Sequence, residues 1–178
     1  MMGSDEVSAL VLEHGRFVWR VLRHQGVVES QLEDLSQEVF LVMFRRFSSF
    51  ENRSSIRTWI YGICRHVAAD SRRRRRRKPE VLMDSVPETA SPEHQTQHML
   101  NQRTRAHLHT ALDQLPEGAR IVFALYEIEN MPMAEVAQSV GCSLSTAYTR
   151  LYAARKRVLG ALQAAGFDEG EWTLAVTG

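Results

Sequence analysis

The most restrictive feature of this sequence lies between Met133 and Val158. Met133, Val136, Ala137 and Val140 recur at three- and four-residue steps, and Leu144, Ala147, Leu151, Ala154 and Val158 resume the pattern after a short break. Such spacing draws one apolar stripe along each of two helices. Within the break, Gly141 tolerates a left-handed backbone and Ser143 supplies a cap for the second helix. Two helices joined by so short a turn form a helix-turn-helix, whose second helix enters the major groove of DNA. The small Ala134 and Ala137 support the motif.

The face opposite the second stripe carries the chemistry. Ser145, Tyr148, Thr149, Tyr152 and Lys156 project together, flanked by Thr146 and Arg150. Hydroxyls and aromatic edges suit bases or the thymine methyl, while Arg150, Arg155, Lys156 and Arg157 suit phosphates. A solvated amphipathic face is the ordinary explanation of such a helix. The turn and the cap tilt the reading toward DNA.

Helical periodicity extends through the rest of the chain, and strand alternation is missing. Leu32, Leu35, Val39 and Met43 form a stripe widened by Phe40, Phe44 and Phe47; Ile56, Trp59, Ile60, Ile63 and Val67 form the next. Ser54 or Ser55 caps that second segment. Leu108, Ala111, Leu112 and Leu115 form a stripe ended by Pro116, and Pro116 with Glu117 opens a helix carrying Ile121, Val122, Leu125 and Ile128. Residues 79–98, with Pro79, Pro87 and Pro92 and few large apolar groups, bury too little surface to offset their ordering entropy. The fold expected is all-α: a helical domain over 6–78, a flexible linker over 79–98, a second helical domain with the helix-turn-helix over 99–164, and a short tail over 165–178 that contains Trp172.

The net charge of the 178 residues is only +1 and gives no hint of a nucleic-acid partner. Charge position is more informative, because six arginines crowd residues 72–77. A basic run of this kind is often a solubilising segment. Here it continues from a helix with Trp59, Tyr61 and Arg65, and interleaved rings and cations suit single-stranded nucleic acid. Upstream, Asp34, Gln37, Glu38, Leu41 and Arg45 occupy a face away from the apolar stripe, and an exposed Leu among acids and an amide suits a partner protein.

Other chemistry finds no support. Cys64 and Cys142 stand far apart without a CxxC and read as small buried hydrophobes in a reducing compartment. His94 and His98 have helical spacing but lack the Glu of a metalloprotease motif, and His107 and His109 read as solvated. No metal, cofactor, catalytic set or small-molecule substrate is expected. No apolar run suits a membrane span and the N-terminus lacks a signal-peptide pattern, so the expected location is cytoplasmic.

The order Asp34-Leu35-Ser36-Gln37-Glu38-Val39-Phe40, then Phe50, then Thr58-Trp59-Ile60-Tyr61-Gly62-Ile63, then Asp70 and the arginines resembles region 2 of the extracytoplasmic-function sigma factors. Leu115-Pro116-Glu117, Arg120-Ile121-Val122-Phe123, Glu135-Val136-Ala137 and Thr146 to Leu151 resemble region 4 of the same family. The likeness covers about residues 8–77 and 100–160, in the family's order. It implies an alternative sigma factor that directs bacterial RNA polymerase to specific promoters. Asp34, Gln37, Glu38, Leu41 and Arg45 would dock on the β′ clamp helices of the core enzyme, with the β flap a further contact. Phe50, Asn52, Arg53, Ser54, Trp59, Tyr61, Arg65, His66, Arg72 and Arg73 would melt and hold the −10 element, first double- and then single-stranded. Ser145, Thr146, Tyr148, Thr149, Arg150, Tyr152, Arg155 and Lys156 would read the −35 element. An anti-sigma protein is implied as a further partner, and nucleotide chemistry is left to the polymerase.

Three positions depart from the family's pattern. His66 stands where Asn is common, Tyr148 where Lys or Arg is common, and Ala153 where Arg is common. Losing those cations lowers the phosphate-driven share of −35 binding and shifts weight to Tyr and Thr contacts. The competing reading is a helix-turn-helix regulator that does not engage core polymerase. Such an operator binder has no need of the 34–40 segment.

Overall fold

The computed structural model describes residues 4–51, 53–77 and 106–167. The chain divides into two compact units, Met1–Ser85 and Val86–Gly178. The sequence-predicted linker, the tail beyond residue 167 with Trp172, and the His94/His98 pair lie outside the described residues. All regular structure among the described residues is helical.

The first unit is a three-helix bundle of α1 (Ser4–His24), α2 (Glu29–Arg46) and α3 (Ile56–Arg77), each packed on the other two. Phe17, Val18, Val21 and Leu22 of α1 meet the predicted α2 stripe of Leu32, Leu35, Val39 and Met43, all buried. Burial of each large apolar group contributes about 1.5–3 kcal/mol. From α3 come Ile60, Ile63, Cys64, Val67 and Ala68. Gly26, at φ 80°, closes α1 by letting the Gly26 and Val27 amides donate back to Arg23 and Leu22. Arg72 Nη1 donates to Gln25 O at 2.6 Å, tying α3 to that same turn.

Between α2 and α3 the chain makes a 3₁₀ turn, Phe47–Ser49. The cap of α3 is Ser55, not Ser54: its hydroxyl accepts the Thr58 amide at 3.2 Å. Three predicted core positions also move outward. Phe44 is 39% exposed, and Ile56 and Trp59 are only half-buried.

In the second unit, α4 (residues 106–113) precedes α5 (Glu117–Phe123), α6 (Met133–Val140) and α7 (Leu144–Ala164). α7 packs on both α5 and α6. Leu108, Ala111, Leu112 and Leu115 are buried as their spacing predicts, and so are Ile121, Val122 and Leu125. α5 continues into a π turn, Ala124–Ile128, closed by the Glu129 amide on Ala124 O at 3.0 Å. Its wider turn takes Ile128 off the predicted stripe, leaving it half-buried.

Gly141, at φ 70°, ends α6, with the Gly141 and Cys142 amides donating to Gln138 and Ala137. Ser143 then caps α7 by accepting the Thr146 amide at 3.1 Å. Ala147, Leu151, Ala154 and Val158 are buried, but Leu144, predicted to share their stripe, is 48% exposed. It is the first helical residue of α7, set before the stripe turns inward.

Candidate nucleic-acid interface

In the first unit, α2 presents Asp34, Gln37, Leu41 and Arg45 to solvent at steps of three and four, as their spacing predicts. Leu41 is 55% exposed, and Phe44 stands beside it on the helix surface. Phe44, whose place in the widened apolar stripe predicts burial, belongs to this face instead, and its spacing of three from Leu41 is the sequence signal for it. Glu38 is half-buried and paired with Arg74, Nη2 to Oε2 at 3.0 Å. A groove of about 330 Å³ between α2 and α3 is lined by Gln31, Asp34, Glu38, Ser71, Arg74 and Arg75.

The arginine run forms the last turns of α3, and a helix spreads consecutive residues around its axis instead of gathering them on one face. Arg72 is spent on Gln25 O, Arg73 on the Asp70 carboxylate and Arg74 on Glu38. The Arg73 hydrogen bond, with the charges of Arg73, His66 and Arg74, holds the Asp70 carboxyl below its usual range. Arg73 and Arg74 remain 63% and 62% exposed, so their pairs lie in water and exchange readily. Arg72 is different: it holds a turn together.

Trp59, His66 and Arg73 recur every seven residues along α3, on one surface track, with Arg65 exposed beside it. Phe47, Phe50 and Trp59 cluster, with Phe50 and Trp59 centroids 5.1 Å apart and Phe47 edge-on to Trp59 at 6.2 Å. The cluster pins the loop after α2 onto the start of α3. Arg53 is exposed and paired with Glu51 at 2.6 Å, Ser54 is half-buried, and Asn52 lies outside the described residues.

Tyr61 is a correction. Grouped with the outward rings on sequence, it is 2% exposed and belongs to the bundle core. α3 packs against both α1 and α2, so its buried face is wider than one stripe and takes in Tyr61 beside Ile60 and Cys64. Burial also pushes the Cys64 thiol far up, which leaves it an inert packing group. Cys142 is half-buried, and both cysteines are free. His14, which the sequence gave no reason to single out, is 4% exposed with no partner on Nδ1; burial lowers its pKa.

In the second unit the outer face of α7 carries Ser145, Thr146, Tyr148, Thr149, Tyr152 and Lys156, all exposed. Tyr148 and Tyr152 stack with centroids 6.3 Å apart. The Thr149 hydroxyl donates to Ser145 O at 3.0 Å, and the Thr146 hydroxyl lies 2.8 Å from that of Ser143. The arginines turn elsewhere. Arg150 is half-buried against α5: a Cβ placed on Gly118 would lie 3.3 Å from its Cζ. Arg155 meets Glu127 Oε1 at 2.5 Å and sits over the Tyr126 ring at 5.8 Å. Glu127 is only 14% exposed, and a largely desolvated carboxylate requires a partner of this kind. Arg155, expected at the phosphates, is thus a tie between α7 and the π turn.

Among the described residues no group of three His, Cys, Asp or Glu side chains is placed to hold a metal ion, and no helix is long and apolar enough to cross a membrane. His107 is exposed and edges Phe167 at 5.2 Å, whereas His109 is half-buried.

Comparison with known proteins matches both units. The family described as Sigma-70 region 2 matches residues 10–78, and that described as Sigma-70, region 4 matches residues 105–158. The RNA polymerase sigma-H factor of Pseudomonas aeruginosa is 28% identical over 75% of this chain and 74% of its own length. The ECF RNA polymerase sigma factor SigC of Mycobacterium tuberculosis is 31% identical over 80% of this chain and 75% of its own. Among solved structures, the sigma factor RpoE of Bartonella quintana, in complex with the anti-sigma factor NepR, aligns with a TM-score of 0.69 and 21% identity, covering 90% of this chain and 98% of that one. That likeness is one of fold.

Proposed function

The chain belongs to the sigma-70 family as an RNA polymerase sigma factor of the extracytoplasmic-function group, and from that premise we propose how its two units divide the work of promoter recognition. It directs RNA polymerase to promoters and leaves nucleotide chemistry to the enzyme it joins, needing no cofactor of its own. The first unit docks on the β′ clamp helices through Asp34, Gln37, Leu41 and Arg45, to which we add Phe44. Glu38 joins them once it leaves Arg74. A central apolar contact ringed by charges is the usual anatomy of such an interface.

The track of Trp59, Arg65, His66 and Arg73, with Phe50 and Arg53 on the adjoining loop, then receives the −10 element. Unstacking a base costs a few kcal/mol, offset by ring stacking and phosphate contacts. Arg73 and Arg74 exchange their carboxylates for phosphates there, whereas Arg72 stays on Gln25 O and supports the helix. The second unit lays α7 in the major groove at the −35 element and contacts the β flap. An anti-sigma protein competes for these surfaces, and the protein acts in the cytoplasm.

One observation carries the docking part of this reading: the solvent-facing row on α2 lies outside the buried core of the bundle, yet keeps an exposed Leu and Phe among charges. Titrating labelled core polymerase with the protein tests it. Asp34→Arg should weaken binding at least about tenfold while leaving the helical circular-dichroism signal unchanged, because a reversed charge at an interface repels its partner. Unchanged affinity removes this face from the docking surface.

A further inference from the structure

We infer that α7 selects its duplex site through thymine C5-methyl groups and not through guanine. This inference rests on the reading that α7 enters the major groove, and it names the base chemistry found there.

Guanine is read in the major groove by Arg or Lys aimed at O6 and N7, and adenine by the amide of Asn or Gln. Between Leu144 and Leu162 the helix has no Asn and no Gln. Arg150 is the single cation of residues 144–153, and its guanidinium lies over Gly118 on α5. Arg155 is closed on Glu127. Lys156 lies 11 residues beyond Ser145, about 16 Å further along the axis. Base contacts come from the N-terminal turns of a recognition helix, so Lys156 is placed for the backbone.

What the N-terminal turns offer instead is apolar. Leu144, Tyr148 and Tyr152, 48%, 38% and 61% exposed, form one line at steps of four. The two tyrosine rings stack into a continuous wall. Thr149 spends its hydroxyl on Ser145 O, which leaves the γ-methyl as the group it offers outward, and Ala153 adds another methyl. Apolar contact of this kind is how a protein senses the thymine methyl, the one apolar feature on the major-groove edge. The hydroxyls of Ser145 and the tyrosines add single hydrogen bonds, which position the helix without the bidentate match that guanine or adenine selection uses.

The test uses the holoenzyme of full-length protein and core polymerase. It selects −35 sequences from a promoter library randomised at that element, then rebuilds the winner with deoxyuridine in place of each −35 thymine. The methyl readout predicts a thymine-containing winner and an affinity loss of about fourfold for each contacted methyl removed, the equivalent of one buried methylene-sized group. Thr149→Ser, which keeps the hydroxyl and removes the methyl, should shrink the thymine-to-deoxyuridine difference at one position; thermal unfolding checks that this variant is folded. Equal affinity for thymine and deoxyuridine, with a clear −35 preference retained, overturns the methyl readout alone. A selection that returns no −35 preference overturns the −35 reading itself, and this inference with it.

Discussion

Both units carry arginine-rich helices, and they dispose of the charge in opposite ways. On α3, Arg73 and Arg74 are mostly exposed and pair with carboxylates that water also reaches. On α7, Arg155 closes on a Glu127 that is 14% exposed, and Arg150 lies against Gly118. A solvated pair is worth little and opens easily, whereas a desolvated carboxylate holds its cation firmly. The first unit therefore leaves Arg73 and Arg74 in solvent, in pairs weak enough for a polyanion to displace. The second has built Arg150 and Arg155 into the fold, and ahead of the exposed Lys156 its outer face presents hydroxyls, rings and methyls.

The contrast can be broken by substitution. The largest effect comes from the side of α7 that faces inward: Leu151→Ala should destabilise the second unit by about 2–5 kcal/mol. Chemical denaturation would read this, and a loss under 1 kcal/mol would mean the buried stripe is not what holds α7. Arg155→Ala should cost about 2 kcal/mol, tempered by the exposure of the arginine itself, with little change in the salt dependence of DNA binding. A lowered salt slope with unchanged stability would show Arg155 to be a phosphate contact after all. Ser143→Ala removes the cap and should cost about 1 kcal/mol. Arg74→Ala should move stability by no more than about 0.5 kcal/mol while lowering the salt slope for single-stranded DNA by about 0.7. A reversed pattern at Arg74 and Arg155 would dissolve the distinction between the units.

The smallest effect is expected at His14. Its folded pKa lies below the unfolded 6.5 because burial disfavours the charged ring and Arg57 repels it, a tendency that Glu13 partly opposes. Between the folded value and 6.5 the unfolded chain binds more protons, so stability falls as pH drops below 6.5 and is unaffected by this group above it. Melting curves of wild type and His14→Gln across that window should converge at low pH. Parallel curves would show that His14 does not set the slope.

The parts of this molecule that local spacing governs were legible in the sequence. The stripe Leu32, Leu35, Val39 and Met43 is buried as read, and Gly141 and Ser143 turn and cap the helix-turn-helix as read. Local spacing fails where a third element decides. Tyr61 goes inward because α3 is packed on two sides; Leu144 stays outside because it precedes the packed part of α7; the π turn moves Ile128 off its stripe. For the candidate site, the exposed rows on α2 and α7 followed from helical period. Which arginines are available did not, because Gln25, Glu38, Gly118 and Glu127 are tertiary neighbours 28 to 47 residues away from the arginines they hold. A run of like charges fixes composition, and the fold then decides which of them face a partner.

Run-off transcription with purified core polymerase, with and without this protein, over a library of promoter fragments separates a sigma factor from a DNA binder that does not engage the core enzyme. Transcripts are expected from a defined subset of promoters that share two sequence elements, only when the protein is added. Absence of any promoter-specific transcript, with the protein folded and the core active with another sigma factor, would contradict it.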